Sequence, residues 1–442
     1  MYNNKKIFVL GMARSGYEVA KLLSDYTKHI IVVDGKEQDL DKVKELENLG
    51  IEVVITNNQE ELLDATYDYV VKNPGIKLDN PTVLKAEEFN IPVINELEVA
   101  YHLLPKNIKI VGITGSNGKT TTTTIIYELL KKGGIKAHLG GNIGYPVSSL
   151  VKEVKEGDTL VLEISGHQLH DMYDFKTDIG VITNLSEVHL DHFGTFENYK
   201  YYKSQILRHH TKKDLAIING NDENVLEVVK NFESKTITFS SNIKNDLYLK
   251  DDTIYYFDES IIETKDIILK GNHNYENMMC GIAVAKEYNI PTSTIKKVLS
   301  NFKGVEHRIE FVKEINGRKF YNDSKATNVK STEIALNSFN NPTILLLGGL
   351  DRGHSFEELV PFMKNVKEVV CYGETRYRIS EFCDRNKFKC HVVDTLEEAT
   401  KLAYNDSNEG DIILLSPACA SWDQFESFEK RGELYKQVIN SL

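Results

Sequence analysis

The stretch Val111-Gly112-Ile113-Thr114-Gly115-Ser116-Asn117-Gly118-Lys119-Thr120-Thr121 joins an apolar run, Ile108 to Ile113, to a helix-like run, Thr120 to Lys132. Glycines let the backbone turn its N–H groups onto a chain of phosphates, and the N-terminus of the following helix adds positive potential. Lys119 supplies a cation and the Thr120 hydroxyl can ligate Mg²⁺. Gly115, Ser116, Asn117, Gly118, Lys119, Thr120 and Thr121 therefore read as a cradle for ATP phosphates. The pattern is a variant of G-x-x-x-x-G-K-[ST]: the place five before Gly118 is Ile113, and the glycines fall at 112 and 115 instead. The bland alternative is a glycine-rich turn, against which stands the run Gly-Lys-Thr-Thr at a strand-to-helix junction.

Upstream, Lys6 to Leu10 reads as a strand, Ser15 to Leu23 as a helix and Ile30 to Val33 as a strand ending at Asp34, a βαβ unit. Its turn, Gly11-Met12-Ala13-Arg14-Ser15-Gly16, is G-x-A-x-x-G, with Ala13 where a dinucleotide fold would want a glycine, and with Asp34 18 residues beyond Gly16. A nicotinamide domain, a domain for another nucleotide and a purely structural turn all stay open on this pattern. A further strand, Tyr69 to Val71, leads into the turn Lys72-Asn73-Pro74-Gly75-Ile76, and the first domain closes near Glu98.

Downstream of the cradle come Asn142-Ile143-Gly144, a strand Thr159 to Ile164 with Glu163 near its end, and a strand Asp178 to Thr183 running through Asn184 to His189, Asp191 and His192. Ligands of parallel α/β sheets gather at the carboxyl ends of strands, where Glu163, His189 and Asp191 fall. Taken singly, Glu163 reads as a solvated strand end and His189 as a loop histidine; their convergence on the cradle points to a site. Short alternating strands are expected near Leu247/Leu249, Ile254/Tyr256, Ile261 and Ile267/Leu269, forming a small β insertion.

After Gly304, strands at Lys319 to Asn322, Thr343 to Leu347, Glu368 to Tyr372, Cys390 to Val393 and Ile412 to Leu415 alternate with helices, which implies another mostly parallel sheet. Three loops at strand ends, Asp323 to Asn328, Gly348 to Gly353 and Ser416 to Phe425, carry Lys, Arg, Ser and Thr in a way that suits anions. The expected fold is α/β with three domains. They are a Rossmann-like domain over 1–98, a central P-loop ATPase domain with the β insertion over 99–304, and a second Rossmann-like domain over 305–442.

Composition agrees with a multidomain globular protein: 442 residues exceed what one core usually organises, and 41% are hydrophobic and 27% charged. No apolar run approaches the ~20 residues of a membrane span, and the opening segment is too short for a signal-peptide core. A net charge of −12 argues against nucleic-acid binding. Five scattered cysteines, Cys280, Cys371, Cys383, Cys390 and Cys419, suggest neither a disulfide framework nor a zinc site, and fit a reducing cytoplasm.

Together, Gly112 to Thr120, Leu162-Glu163-Ile164-Ser165, Asn184 to His189 with Asp191, Gly271 to Asn277, His307-Arg308 and Asn322 to Asn328 resemble the Mur ligases, which add amino acids to the bacterial cell-wall precursor. The order and spacing match over nearly the whole chain. Within that family, Ser416-Pro-Ala-Cys-Ala-Ser421, Asp423-Gln-Phe425, Phe428 and Arg431-Gly432 are similar to the D-glutamate-adding member. The Asp-Asn-Pro-Arg signature of the diamino-acid-adding relative and the Asp-Ser-His-Pro-type loop of folate polyglutamate ligases are absent.

The resemblance implies a reaction in which ATP phosphorylates the free carboxylate of UDP-N-acetylmuramoyl-L-alanine and the amine of D-glutamate attacks the acyl phosphate, releasing ADP and phosphate. It implies that Lys119, Thr120 and Glu163 hold the β/γ-phosphates and a first Mg²⁺, and that His189 holds a second Mg²⁺. Lys203 matches a lysine that the family carries as a carbamate, so Lys119, Glu163, His189 and Lys203 are the catalytic candidates and Thr120, Glu163, His189 and Lys203 the metal candidates. Asn277, Arg308 and Asp323 match contacts to base, phosphate and ribose. Arg14, Ser15, Asp34, Lys36, Asn73, Gly75 and Asn142 are the nucleotide-sugar candidates; Lys325, Thr327, Arg352, Ser421 and Phe428 those for D-glutamate. Arg352 stands where relatives often carry lysine. A cytoplasmic monomer is expected. Two other readings stand beside this one: a Mur-type ligase with a different amino acid, and an ATP-driven switch or binding protein that ligates nothing.

Overall fold

The computed structural model describes residues 1–188 and 190–442; His189, and the side chains of Leu190 and Asp191, lie outside the described residues, and with them the expectations for His189 and Asp191. The described residues form two compact units, Met1–Phe302 and Lys303–Leu442. The architecture is the expected α/β one.

The first unit holds two sheets. The five strands β1 (Ile7–Leu10), β2 (Ile30–Asp34), β3 (Glu52–Ile55), β4 (Tyr69–Lys72) and β5 (Val93–Ile94) lie in the order β3-β2-β1-β4-β5, all parallel. The order reverses between β1 and β4, so the loops that leave these two strands flank a crevice. Every residue of β1 is buried, as in a parallel sheet covered on both faces.

The second sheet has nine strands: β6 (Lys109–Thr114), β7 (Ala137–Gly141), β8 (Thr159–Glu163), β9 (Ile179–Ile182), β10 (Leu215–Asn219), β11 (Lys235–Ser240), β12 (Leu247–Lys250), β13 (Thr253–Tyr256) and β14 (Glu259–Glu263), in the order β14-β13-β12-β11-β10-β9-β6-β8-β7. The short strands expected near residue 250 form an antiparallel meander, β12 to β14, and β12 pairs in parallel with β11. They extend the edge of the central sheet. The expected strand at Ile267 and Leu269 does not form: a short 3₁₀ turn, Thr264–Asp266, precedes it, and Ile267 is buried from a loop. A buried lysine–carboxylate pair, Lys72 with Asp171 at 2.8 Å, ties β4 to the loop before β9.

The second unit carries β15 (Glu310–Ile315), β16 (Arg318–Asn322), β17 (Thr343–Gly348), β18 (Val366–Tyr372), β19 (Cys390–Val392) and β20 (Ile412–Leu415), in the order β15-β16-β20-β17-β18-β19. Only β15 runs antiparallel to its neighbour among these described strands. The carboxyl ends of β16, β20 and β17 therefore lie side by side.

Candidate active site

Strand β6 ends at Thr114, and the helix Lys119–Lys132 starts directly after Gly118. Five threonines in its first two turns are poor helix formers; Thr123 and Thr124 return their hydroxyls to the carbonyls of Lys119 and Thr120, each at 2.8 Å. The loop before the helix needs its glycines. Gly115 and Gly118 have φ of +143° and +79°, and a Cβ would stand 2.0 Å from Thr183 Oγ1 at the first and 2.4 Å from Asn277 Oδ1 at the second. One wall of the loop is the segment leaving β9. Ser116 N donates to Asn184 O (2.8 Å), Asn117 N to Asn184 Oδ1 (2.9 Å), and Thr183 Oγ1 to Asn117 O (2.6 Å). Ser116 Oγ bonds Tyr199 Oη at 2.9 Å and accepts from Ser186 N at 2.9 Å. These contacts hold the loop in shape, while the helix start offers N–H groups without intrahelical acceptors to an anion.

Two lysines meet on this loop. Lys119 Nζ folds back to donate to Gly115 O and Ser116 O, each at 2.8 Å. Lys203 Nζ, from the helix Phe196–Ser204, donates to Gly115 O at 2.9 Å and Thr114 Oγ1 at 3.2 Å. Lys203 is buried, and that burial holds its ammonium well below the usual lysine range; the nearby Lys119 charge acts the same way and Glu163 opposes both.

Glu163 ends β8, paired with Ile113 of β6 on one side and Gly141 of β7 on the other. Its carboxylate is buried: Oε1 accepts from Asn142 Nδ2 at 2.8 Å, while Oε2 has no hydrogen-bond partner. An orphaned, buried anionic oxygen next to a phosphate cradle fits a hard cation such as Mg²⁺, which takes oxygen ligands. Asn277, expected at the base, lies beside the loop: its Oδ1 accepts from Thr122 Oγ1 at 3.1 Å.

In the first sheet, the loop leaving β1 meets the loop leaving β4. Asn73 Nδ2 donates to Ser15 Oγ at 3.2 Å, and Gly75 N to Asn73 Oδ1 at 3.1 Å. Gly16 is required, since a Cβ there would lie 1.9 Å from Gly11 O. Ala13 is tolerated because it has φ −62° and is exposed, so the missing middle glycine costs no strain. Asp34 turns to the loops, its Oδ2 accepting from Met12 N (2.7 Å) and its Oδ1 from Lys36 N (2.9 Å). Exposed Arg14 lies over the Tyr145 ring, 5.7 Å from its centroid.

In the second unit Asp323 follows β16, buried, with Oδ1 accepting from Ile309 N (3.1 Å) and Oδ2 from Ser416 Oγ (2.7 Å). Burial pushes its carboxyl up to about 7 against these two hydrogen bonds and the Arg308 charge. His307 and Ile309 both have left-handed backbone, φ +62° and +45°, so Arg308 is presented from a strained turn. Beneath the loops lies Arg431, fully buried: its Nε and Nη2 donate to Ser324 Oγ (3.0 Å) and Ser324 O (2.8 Å), and Nη1 has no hydrogen-bond partner. Ser324 Oγ in turn donates to Phe428 O at 2.7 Å. Above them, Lys325 Nζ stands 5.9 Å from the Phe428 ring and the Arg352 guanidinium 4.9 Å from the exposed Trp422 ring. Leu350 N donates to Ala420 O at 2.9 Å, which brings the Arg352 loop beside buried Ser421. Thr327 is half-buried, its N–H bonded to Lys325 O at 2.9 Å.

Sequence reasoning did not single out Thr114, Thr183, Ser186 and Tyr199 as site residues, nor Arg431. Thr114, Ser186 and Arg431 stood inside quoted motifs without a role of their own, and each of the five acts through a fold contact distant in the chain.

An α/β chain with a phosphate loop, an orphaned carboxylate beside it and a separate cation-lined unit is built as a nucleotide-dependent ligase is. Residues 5–95 match the MurD-like N-terminal domain of Mur ligases, 113–285 the Mur ligase middle domain, and 307–419 the Mur ligase glutamate ligase domain. The chain belongs to the Mur ligase family. It is 42% identical over 446 residues to the UDP-N-acetylmuramoylalanine--D-glutamate ligase of Geobacillus sp. (strain WCH70), spanning 100% of this chain and 98% of that protein. It is likewise 42% identical over 445 residues to the enzyme of the same name from Bacillus cereus (strain G9842), with the same coverage. Among solved structures it is similar in fold to UDP-N-acetylmuramate-alanine ligase MurC from Thermotoga maritima (TM-score 0.60, 19% identity, 99% of each chain). It also resembles MurF ligase from Thermotoga maritima in complex with ADP (TM-score 0.57, 17% identity, 99% of this chain and 96% of that one).

Proposed function

We propose that this chain joins D-glutamate to UDP-N-acetylmuramoyl-L-alanine in peptidoglycan precursor synthesis, using ATP and an acyl-phosphate intermediate. Full-length 42% identity to ligases of that name carries the reading. A carboxylate is a poor electrophile until one oxygen becomes a phosphate leaving group, and cations must offset the crowded negative charge of that transfer. In this reading Lys119 exchanges the Gly115 and Ser116 carbonyls for the β/γ-phosphates, within the cradle Gly115 to Thr121. Thr120 and Glu163 would hold one Mg²⁺ and His189 a second, which would supply charge neutralisation when bound. Asn277, Arg308 and Asp323 would meet base, phosphate and ribose.

The nucleotide-sugar would lie along Arg14, Ser15, Asp34, Lys36, Asn73, Gly75 and Asn142. Lys325 and Arg352 would hold the carboxylates of D-glutamate, with Thr327, Ser421 and Phe428 shaping its pocket. We assign 1–98 to nucleotide-sugar binding, 99–304 to ATP and 305–442 to the amino acid, in a cytoplasmic monomer; no helix among the described residues is long and apolar enough to cross a membrane.

Lys203 would act as a carbamate. Its neutral amine adds to CO₂, releasing one proton and leaving R–NH–COO⁻, which reverses the sign of the side chain and supplies oxygen to Mg²⁺. Support comes from its burial and from its partners, a hydroxyl and a backbone carbonyl rather than a carboxylate.

The test is phosphate release from ATP with UDP-N-acetylmuramoyl-L-alanine and, in turn, D-glutamate, L-glutamate and meso-diaminopimelate. Release with D-glutamate alone is expected; equal release with all three would remove the acceptor assignment, and release without any acceptor at the same rate would favour a non-ligating ATPase.

A further inference from the structure

On the far edge of the C-terminal sheet, Glu368 of β18, His391 of β19 and Asp406, the last residue of the helix Leu396–Asp406, bring one ligand atom each to within 4.8 Å of one another. Register explains the meeting. His391 pairs with Val370, two residues beyond Glu368, so both side chains leave the same face of the sheet. Glu368 Oε1 stands 3.3 Å from His391 Nε2, which is 3.8 Å from Asp406 Oδ2. Two ligands of a tetrahedral zinc ion, each bound at roughly 2.0–2.2 Å, are about 3.4 Å apart, the same scale as this cluster.

Two of these atoms are unsatisfied. Glu368 is buried, and neither its Oε1 nor His391 Nε2 has a hydrogen-bond partner. The other oxygen, Oε2, accepts from Lys389 Nζ at 2.7 Å, an outer contact that holds the carboxylate with Oε1 turned to the histidine. A buried carboxylate oxygen with no hydrogen-bond partner, 3.3 Å from an imidazole nitrogen, leaves ligand capacity that a bound cation would use.

We infer that Glu368, His391 and Asp406 form a binding site for one divalent transition-metal ion, with the imidazole selecting zinc-like ions over Mg²⁺. The site lies in the first half of β18, whereas the candidate D-glutamate loops leave the carboxyl ends of β16, β17 and β20. It would cross-link β18, β19 and the following helix without touching substrate.

Equilibrium dialysis of the full chain, chelator-treated and free of nucleotide, against Zn²⁺ tests this. The expected result is one tightly held ion per chain, bound at least ~10-fold more weakly by His391→Ala and by Asp406→Asn, as ligand losses are, and retained by Glu163→Gln. Co²⁺ in place of Zn²⁺ should give visible d–d bands without a thiolate charge-transfer band. No bound ion, equal affinity in His391→Ala, or a thiolate band from Cys371, Cys383 or Cys390 would overturn the inference. Circular dichroism of metal-free His391→Ala should match the metal-free parent, which separates loss of the ion from loss of the fold.

Discussion

In the phosphate loop the candidate anion contacts are consecutive residues, Gly115 to Thr121, and the shape is carried by backbone that only glycine adopts at 115 and 118. In the Lys303–Leu442 unit the candidate contacts come from three loops, around Lys325, Arg352 and Ser421, drawn together by the Ser324–Arg431 and Leu350–Ala420 hydrogen bonds. The first solution spends backbone N–H groups and a helix N-terminus; the second uses long cationic side chains resting on aromatic rings. A preformed backbone cradle tolerates little substitution, because a Cβ has nowhere to go. A side-chain pocket can trade one cation for another, since either Arg or Lys can hold a carboxylate, with a different pairing geometry.

Breaking the first solution should cost most. Lys119→Ala removes the cation meant for the β/γ-phosphates and should lower kcat by about 10³-fold, near the upper end of what losing one charge-stabilising donor costs. Steady-state phosphate release measures it, and a fall under tenfold would mean that the backbone alone carries the phosphates.

Lys203→Ala comes next, with most activity lost and part restored by millimolar acetate or formate, which can occupy the vacated place as a carboxylate. Full activity in the plain variant would refute the role. For the side-chain pocket, Arg352→Ala should raise KM for D-glutamate by roughly 10-fold, the scale of a hydrogen bond to a charged group, with kcat changed less. An unchanged KM would assign Arg352 to the Trp422 contact alone.

A stability measurement sharpens the contrast through pH. Asp323 has its carboxyl raised from 3.8 to about 7 in the folded state. Between these values the fold keeps a proton that the unfolded chain has released, so this group makes stability fall as pH rises, by up to ~1.4 kcal/mol per unit. Urea midpoints between pH 5 and 8 should decline more steeply for the parent than for Asp323→Asn; equal slopes would remove Asp323 as the cause.

The same contrast explains what the sequence made legible. Contiguous chemistry was readable: the cradle, Glu163 at the end of β8 and the three strand-end loops could be placed from apolar runs and turn residues. The turn at Gly11 to Gly16 was readable in outline, but that Ala13 is harmless depends on its backbone angle, which no pattern reports. Contacts across the fold were not readable. Nothing in the spacing puts Asn277 against Gly118, or Lys119 and Lys203 on one carbonyl. The strand expected at Ile267 failed because alternation marks burial, and Ile267 is buried from a loop instead. Strand β7, with two glycines in five residues, carries almost no strand signal and forms because β8 supplies its partners.

The central claim is that ATP activates the substrate carboxylate directly, and oxygen transfer reports on it. UDP-N-acetylmuramoyl-L-alanine labelled with ¹⁸O in its free carboxylate, turned over with ATP and D-glutamate, should yield phosphate carrying one ¹⁸O per molecule, because the carboxylate oxygen leaves with the phosphoryl group. Unlabelled phosphate from a reaction that still forms the amide would contradict an acyl phosphate and the account built on it.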